Sequence, residues 1–293
     1  MDVKIISVRR VFHMAITSKE DLAECFKDTL RFIDENAVLR EAAEDSKART
    51  KVYHEDFAEE VNVKKEGRIA VFEGRTLREA LKLKAIFPEK KIAVLSFAAS
   101  QTRGGGVWGG AHAQEESNCR SSTLYPTLEC DDADKNFHSY HRDNCGWDAS
   151  DRCIYSPDVI ICKDDSDGIP QRLTPGEFVK VDVITCAAPH VFRNIREKIS
   201  DDELKAIHVK RAKNIMRAAA FNGADILITG AFGCGAFNNP AGIVASAWHE
   251  ALNEYRTKFY LTAFVIYISD YPPKHEEGVK NYLTFRNEFS DRL

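Results

Sequence analysis

Residues 92–126 read IAVLSFAASQTRGGGVWGGAHAQEESNCRSSTLYP, and the order of their parts decides the fold. Ile92 to Phe97 is an apolar, β-rich run bounded by small residues, the pattern of a buried strand. A loop follows that carries Gly104, Gly105, Gly106, Gly109 and Gly110. Consecutive glycines add nothing to packing; they occur where the backbone takes unusual dihedrals or where a ligand must come close. Gln114, Glu115 and Glu116 then open a helix. A strand, a glycine loop and a helix start in succession make an anion cradle, with free N–H groups turned towards a phosphate. Two adjacent carboxylates beside such a cradle mark a candidate active site.

Downstream the same grammar returns. Ile154–Cys162 reads as a strand, and Pro157 argues for an edge or a starting position. Asp164–Gly168 (DDSDG) is a turn signal, and Phe178–Ala188 (FVKVDVITCAA) is a strand. Asp201–Phe221 is a long helix with Gly223 as its C-terminal stop. Asp225–Gly230 (DILITG) is a buried strand, Ala231–Pro240 (AFGCGAFNNP) a second glycine loop, and Ile243–Tyr255 a helix opened by Pro240. Phe259–Ile268 is expected to close the sheet, and the tail to be a charged helix. Upstream, Ile69–Glu73 is a short strand, and Thr76 caps a helix carrying Leu77, Leu81 and Leu83. Such alternation predicts an α/β fold with a mixed, mainly parallel sheet flanked by helices. Ligands bind such sheets at the carboxyl ends of the strands, so Gly104–Gly106 and Gly233–Gly235 can share one cleft.

Before the strands, Val3–Val11 is a short mixed run. Thr17 or Ser18 followed by Glu20 and Asp21 predicts the start of an amphipathic helix over Lys19–Asn36, and Val38–Asp45 and His54–Asn62 read as further helical pieces. These residues carry too few apolar side chains to fold alone. The expected organisation is a helical accessory region over 1–64 packed on a main domain over 65–293, the alternative being a mobile arm.

Composition sets outer bounds. With 293 residues, 44% of them hydrophobic, the chain can bury a sizeable core. A net charge of −4 argues against a general nucleic-acid binder. No run has the apolar core of a signal peptide or the length of a membrane span, so a cytoplasmic location is expected, or a nuclear one in a eukaryote. The eight cysteines form no Cys-x-x-Cys pair, which favours free thiols in a reducing compartment. His138, His141, Cys145 and Cys153 have a spacing that zinc could use, but a polar surface segment is the preferred reading. Neither a metal nor a cofactor is expected.

The pattern Gly-Gly-Gly, seven residues, Gln-Glu-Glu resembles the signature of bacterial-type poly(ADP-ribose) glycohydrolases, which have a macrodomain fold. The resemblance spans about Ile69 to Asp270 and includes CRSSTLYP (Cys119–Pro126), YSPDVI (Tyr155–Ile160), VITCAAP (Val183–Pro189) and GAFGCGAFNNP (Gly230–Pro240). It implies that Glu116 is the catalytic acid/base and that Glu115 positions the scissile ribose. It also implies that Gly104, Gly105, Gly106 and Gln114 line the ligand, and that Gly233, Cys234, Gly235, Ala236 and Phe237 wrap its diphosphate, Phe237 stacking on the distal ribose. The implied partner is poly(ADP-ribose) or an ADP-ribosylated protein, with ADP-ribose as product. Thr102 and Arg103 stand where the family usually has Asn-Pro, and Ser96 where asparagine is common.

The residue types fit that chemistry independently. Breaking a ribose–ribose O-glycosidic bond requires a proton for the leaving hydroxyl, stabilisation of an oxocarbenium-like ribose, and deprotonation of water. Neighbouring helical residues point about 100° apart, so Glu115 and Glu116 do not flank a bond as separated carboxylates do. One carboxyl serving as acid and then base, with the other binding ribose, suits the spacing. Burial and mutual repulsion are expected to raise the acid's pKa. Two other readings use the same pocket: a non-catalytic ADP-ribose reader, and a hydrolase of another ADP-ribose linkage. Cys234 has no nearby histidine to make it a nucleophile, and His112 is a loop histidine without an assigned part. Arg103 either contacts phosphate or faces solvent, the latter favoured because the family binds its ligand without an arginine there.

Overall fold

The structure, a computed structural model, describes residues 17–58, 61–166 and 168–292. The run Val3–Val11 lies outside them. Two helices open the described chain, α1 (Lys19–Glu35) and α2 (Ala37–Arg49), followed by strands β1 (Lys51–Tyr53) and β2 (Arg68–Glu73). Helix α3 (Thr76–Ile86), strand β3 (Ile92–Phe97) and helix α4 (Gln114–Ser121) come next. Short helical turns α5 (Leu124–Thr127) and α6 (Asp131–Ala133), a π-helical turn (Asp134–Ser139) and α7 (Tyr140–Asn144) lead to β4 (Cys153–Ile161) and β5 (Val179–Cys186). The remainder is α8 (Arg193–Arg196), α9 (Asp201–Phe221), β6 (Ile226–Thr229), α10 (Ala241–Tyr255), β7 (Leu261–Ile266) and α11 (Lys274–Glu288).

Among the described residues the strands form one seven-stranded sheet in the order β1-β4-β5-β3-β6-β7-β2. From β5 to β2 every neighbouring pair is parallel, whereas β4 runs antiparallel to β5 and to β1. The predicted mixed, mainly parallel α/β sheet is therefore present. Strand β3 is central, and its two faces feed different cores. Ala93 and Leu95 pack with α9, α10 and α11 through Ala219, Trp248 and Phe285, while Ile92 and Val94 pack with Leu77, Leu124 and Phe26. A strand buried on both faces reads as a continuous apolar run, which is why β3, β6 and β7 stand out in the sequence.

Four local expectations are corrected. Residues 54–58 are a turn and loop rather than a helix. Thr76 is the first residue of α3 and Arg75 its N-cap; the Thr76 hydroxyl accepts instead from the Gln114 side chain at 2.9 Å. Pro157 lies inside the sheet at a bulge, where the β4–β5 register shifts between Ser156 and Val159 and Asp158 takes φ +55°. An extra residue leaves the ladder there, so the missing N–H of proline costs no sheet bond. Finally, β7 lies between β6 and β2, and β2 is the edge.

The N-terminal residues are joined to the sheet. Strand β1 pairs with β4, and Val52 and Phe26 belong to the same core cluster as Val94 and Ile228. Ser46 donates to the Pro157 carbonyl, and Thr50 donates to Ser156 at 3.1 Å, fastening α2 onto the bulge.

Candidate active site

The parallel strands end on one side of the sheet, and the loops after neighbouring β5, β3 and β6 meet there. The loop after β3 is a chain of tight turns. Gly105 N–H donates to the Thr102 carbonyl (3.1 Å), Val107 N–H to Gly104 (3.1 Å) and Ala111 N–H to Gly106 (3.2 Å). Gly104 takes φ +66° at the third position of the Thr102–Gly105 turn, which side chains avoid. Gly105 takes φ +56°, and a Cβ on it would run into Glu116 Oε1 and lie 3.0 Å from Glu115 Oε2. The glycine is thus required by the carboxylates as well as by the turn.

Helix α4 delivers those carboxylates in its first turn, where the positive end of the helix dipole favours them. Glu115 Oε2 accepts the Ala99 N–H at 2.7 Å, and Glu116 Oε1 accepts the Gly106 N–H at 2.8 Å. Both residues are buried, at 2% and 6% exposure, and Glu115 Oε1 and Glu116 Oε2 have no hydrogen-bond partner. Burial pushes the Glu115 carboxyl well above the usual carboxylate range, and the neighbouring Glu116 charge adds to the rise against the opposing amide bonds. Each glutamate therefore has one oxygen fixed to the loop backbone and one buried oxygen without a partner in the protein.

Gln114 aims the pair. Its amide donates to Thr76 Oγ1 (2.9 Å) and the Leu95 carbonyl (2.8 Å) and accepts from Phe97 N–H (2.8 Å), stitching α4 to the end of β3. On the other side, Ser117 and Arg75 share the buried Asp165, at 2.7 and 3.0 Å. Ser96, also buried, accepts from Asn118 at 3.3 Å.

The loop after β6 is shaped by Asn239. Its amide donates to the carbonyls of Pro189 (2.8 Å), Gly233 (3.0 Å) and Phe237 (3.3 Å), while its oxygen meets His208 Nε2 at 2.8 Å. His208 is buried, which lowers its pKa to about 4, so it is neutral and donates to that oxygen. Gly233 has φ +76°, and a Cβ there would lie 2.5 Å from Ala188 Cβ. By contrast, a Cβ on Gly235 would meet open space, and Gly235 and Ala236 are exposed. Phe237 is half-buried, its ring stacked on His190. Cys234 is buried, and desolvation drives its thiol far from the thiolate form.

Arg103 takes neither of its two expected orientations. Its guanidinium lies 4.8 Å from the Tyr125 ring centre and pairs with Glu129 at 2.9 Å. Tyr125 in turn accepts from Trp108 Nε1 (2.8 Å), and both rings meet Phe26 edge-on at 4.9 Å. His112 is exposed at the rim of the loop. The histidines of the zinc-like pattern are internal ties. His138 Nδ1 bonds the Ser100 carbonyl (3.2 Å), and His141 bonds Phe137 O (2.6 Å) and Ser150 Oγ (2.9 Å). Among the described residues no group of three or more His, Cys, Asp or Glu side chains is placed to hold a metal ion, and no helix is long and apolar enough to cross a membrane.

Sequence reasoning missed several contributors. Ala99 and Tyr125 carry no signal of their own. Asn239 does, since an asparagine before the proline of a glycine loop is a common loop tether. Also missed was a cavity of about 220 Å³ at the ends of β2 and β7, lined by Glu73, Gly74, Arg75, Arg78, Tyr267 and Asp270 among others.

Comparison with known proteins places this geometry. The family model described as microbial-type PARG, catalytic domain, matches residues 26–164. No curated protein matches the sequence significantly. The crystal structure of poly(ADP-ribose) glycohydrolase from Thermomonospora curvata is similar with a TM-score of 0.76 at 26% identity, over 92% of this chain and 100% of that one. The same enzyme bound to the inhibitor ADP-HPD gives 0.73 at 25% identity, over 89% and 99%. Poly(ADP-ribose) glycohydrolase from Deinococcus radiodurans in complex with ADP-ribose gives 0.72 at 26% identity, over 86% and 98%. The family match over residues 26–164, the shared fold along nearly the whole chain and the signature blocks agree in their direction: all three point to the bacterial-type poly(ADP-ribose) glycohydrolases.

Proposed function

We propose that the cleft between the two glycine loops hydrolyses the ribose–ribose O-glycosidic bond of poly(ADP-ribose), with Glu116 as general acid and then general base. The observation that carries this reading is the pair of buried, unpartnered oxygens, Glu115 Oε1 and Glu116 Oε2, beside backbone amides of Gly104–Gly106. A buried polar atom without a partner is costly, and ligand hydroxyls would remove that cost. Glu116 protonates the leaving ribose oxygen as the bond to the anomeric carbon breaks. The resulting oxocarbenium-like ribose lies against the carboxylates, and water adds to the anomeric carbon while Glu116 takes its proton. Glu115, hydrogen-bonded to Ala99, orients the ribose hydroxyls. Backbone donors of the loops over 104–106 and 233–237 hold the diphosphate, with Phe237 against the distal ribose. The cavity at the ends of β2 and β7, with the half-exposed Tyr267 beside it, suits the adenosine end.

Partners follow from this chemistry: the polymer or an ADP-ribosylated protein as substrate, and ADP-ribose as product. The eight free thiols support a reducing, cytoplasmic setting. Glu116→Gln keeps shape and the Gly106 contact but has no proton to give. It is expected to lower turnover at least about a hundredfold, the scale of general acid catalysis, while leaving ADP-ribose affinity nearly unchanged by calorimetry. Near-normal turnover in that variant would remove Glu116 from the role. A wild-type protein that binds ADP-ribose but leaves polymer intact would be a reader instead.

A further inference from the structure

Phe237 is not held by its own loop alone. The imidazole of His190, from the segment after β5, stacks on it with ring centres 4.7 Å apart and planes 11° apart. Phe192 stacks on the same imidazole at 3.8 Å and 26°. The two segments are tied by Val191 N–H to the Phe237 carbonyl (2.9 Å), and His190 N–H is tied to the Trp147 carbonyl (2.6 Å). Asn239 bridges both through Pro189 and Phe237. Partial burial lowers the His190 pKa, so the ring is neutral at the centre of the stack.

We propose that His190 is a positioning residue, a planar buttress that covers one face of Phe237 and leaves the opposite face for the sugar of the ligand. The physical basis is pre-ordering. A phenylalanine on a partly exposed loop must give up rotamer freedom when a ligand arrives, and a ring already stacked has done so. Phe192 caps the stack from outside and is 49% exposed, so the imidazole is clamped rather than free to swing. The proposal rests on the reading of Phe237 as a sugar contact.

The test uses the full chain. Turnover of poly(ADP-ribose) and calorimetric affinity for ADP-ribose are measured for His190→Ala, His190→Phe, Phe237→Ala and the double variant His190→Ala/Phe237→Ala, with melting curves to confirm folding. His190→Ala should raise KM and the ADP-ribose Kd about three- to tenfold, the worth of an aromatic stack, with kcat little changed. His190→Phe should restore both, because the buttress needs a flat ring and no nitrogen. In the double variant the His190 change should add nothing to Phe237→Ala. Equal loss in His190→Ala and His190→Phe would overturn the proposal, as would full additivity. If Phe237→Ala weakens binding while His190→Ala does not, the proposal alone fails; if Phe237→Ala leaves affinity unchanged, the reading beneath it fails as well.

Discussion

Glu115 and Glu116 are neighbours in one helical turn, yet their surroundings separate them. Glu115 is the more enclosed, and its carboxyl is held well above the ordinary range by burial and by the Glu116 charge. Its folded-state pKa thus exceeds the unfolded value of about 4.3. The native state binds that proton more tightly than the unfolded chain does. The associated stability is complete below the unfolded pKa and is lost as the pH rises through the folded one. Glu115→Gln removes this titration, so its melting temperature should gain on the wild type as the pH is raised from acid to neutral. Parallel curves for the two proteins would show that Glu115 is not the strained carboxyl. The sequence made both glutamates visible, because two carboxylates after three glycines have no packing use. It did not show which would be more enclosed, since that depends on Ala99 and Gly104, residues without chemistry of their own.

At the scale of elements, the two glycine loops differ in what their glycines do. Gly105 and Gly233 are held by close contacts and positive φ, whereas Gly235 faces open space. Gly235→Val should therefore fold with a near-normal melting temperature and lose ADP-ribose affinity by calorimetry, since its side chain would fill the place of the ligand. Unchanged affinity in the folded variant would take the second loop out of the site. The Thr102–Gly105 turn also explains the unusual Arg103. It occupies the second position, where proline is favoured and where the family carries one. Here the guanidinium buttresses the loop from outside, on Tyr125 and Glu129. Arg103→Ala should cost about 1 kcal/mol of stability, the scale of a partly exposed cation–π contact and ion pair, and change ADP-ribose affinity little. Arg103→Pro should bind equally well. A fall of tenfold or more in both would mean that the arginine reaches phosphate. The loops could be placed from glycine content and flanking apolar runs. The Arg103 contact could not, because Tyr125 lies beyond α4 and only the fold brings it back.

For the whole molecule, the helical start of the chain is part of the site's foundation. Phe26, buried in α1, makes T-shaped ring contacts with both Trp108 and Tyr125 behind the first glycine loop. Lys163, 1% exposed, ties the α1 carbonyl of Cys25 at 3.1 Å and Asp28 at 2.9 Å to the end of β4. Phe26→Ala should cost about 3–5 kcal/mol by chemical denaturation, the range for a buried aromatic. An unchanged midpoint would mean that α1 is only appended. The sheet itself was legible from strands buried on both faces, which read as unbroken apolar runs. Strand β1 was not, for three residues carry no periodicity, and neither was the bulge at Pro157, whose cause is the pairing with β5. The central claim is that Glu116 drives addition of water to the anomeric carbon of the polymer's ribose. Digestion of poly(ADP-ribose) in oxygen-18 water, read by mass spectrometry, tests it most directly. The wild type should release ADP-ribose carrying one heavy oxygen on the freed anomeric carbon, and Glu116→Gln should release almost none. Label on phosphate instead, or the same labelled product at an undiminished rate from Glu116→Gln, would contradict the account.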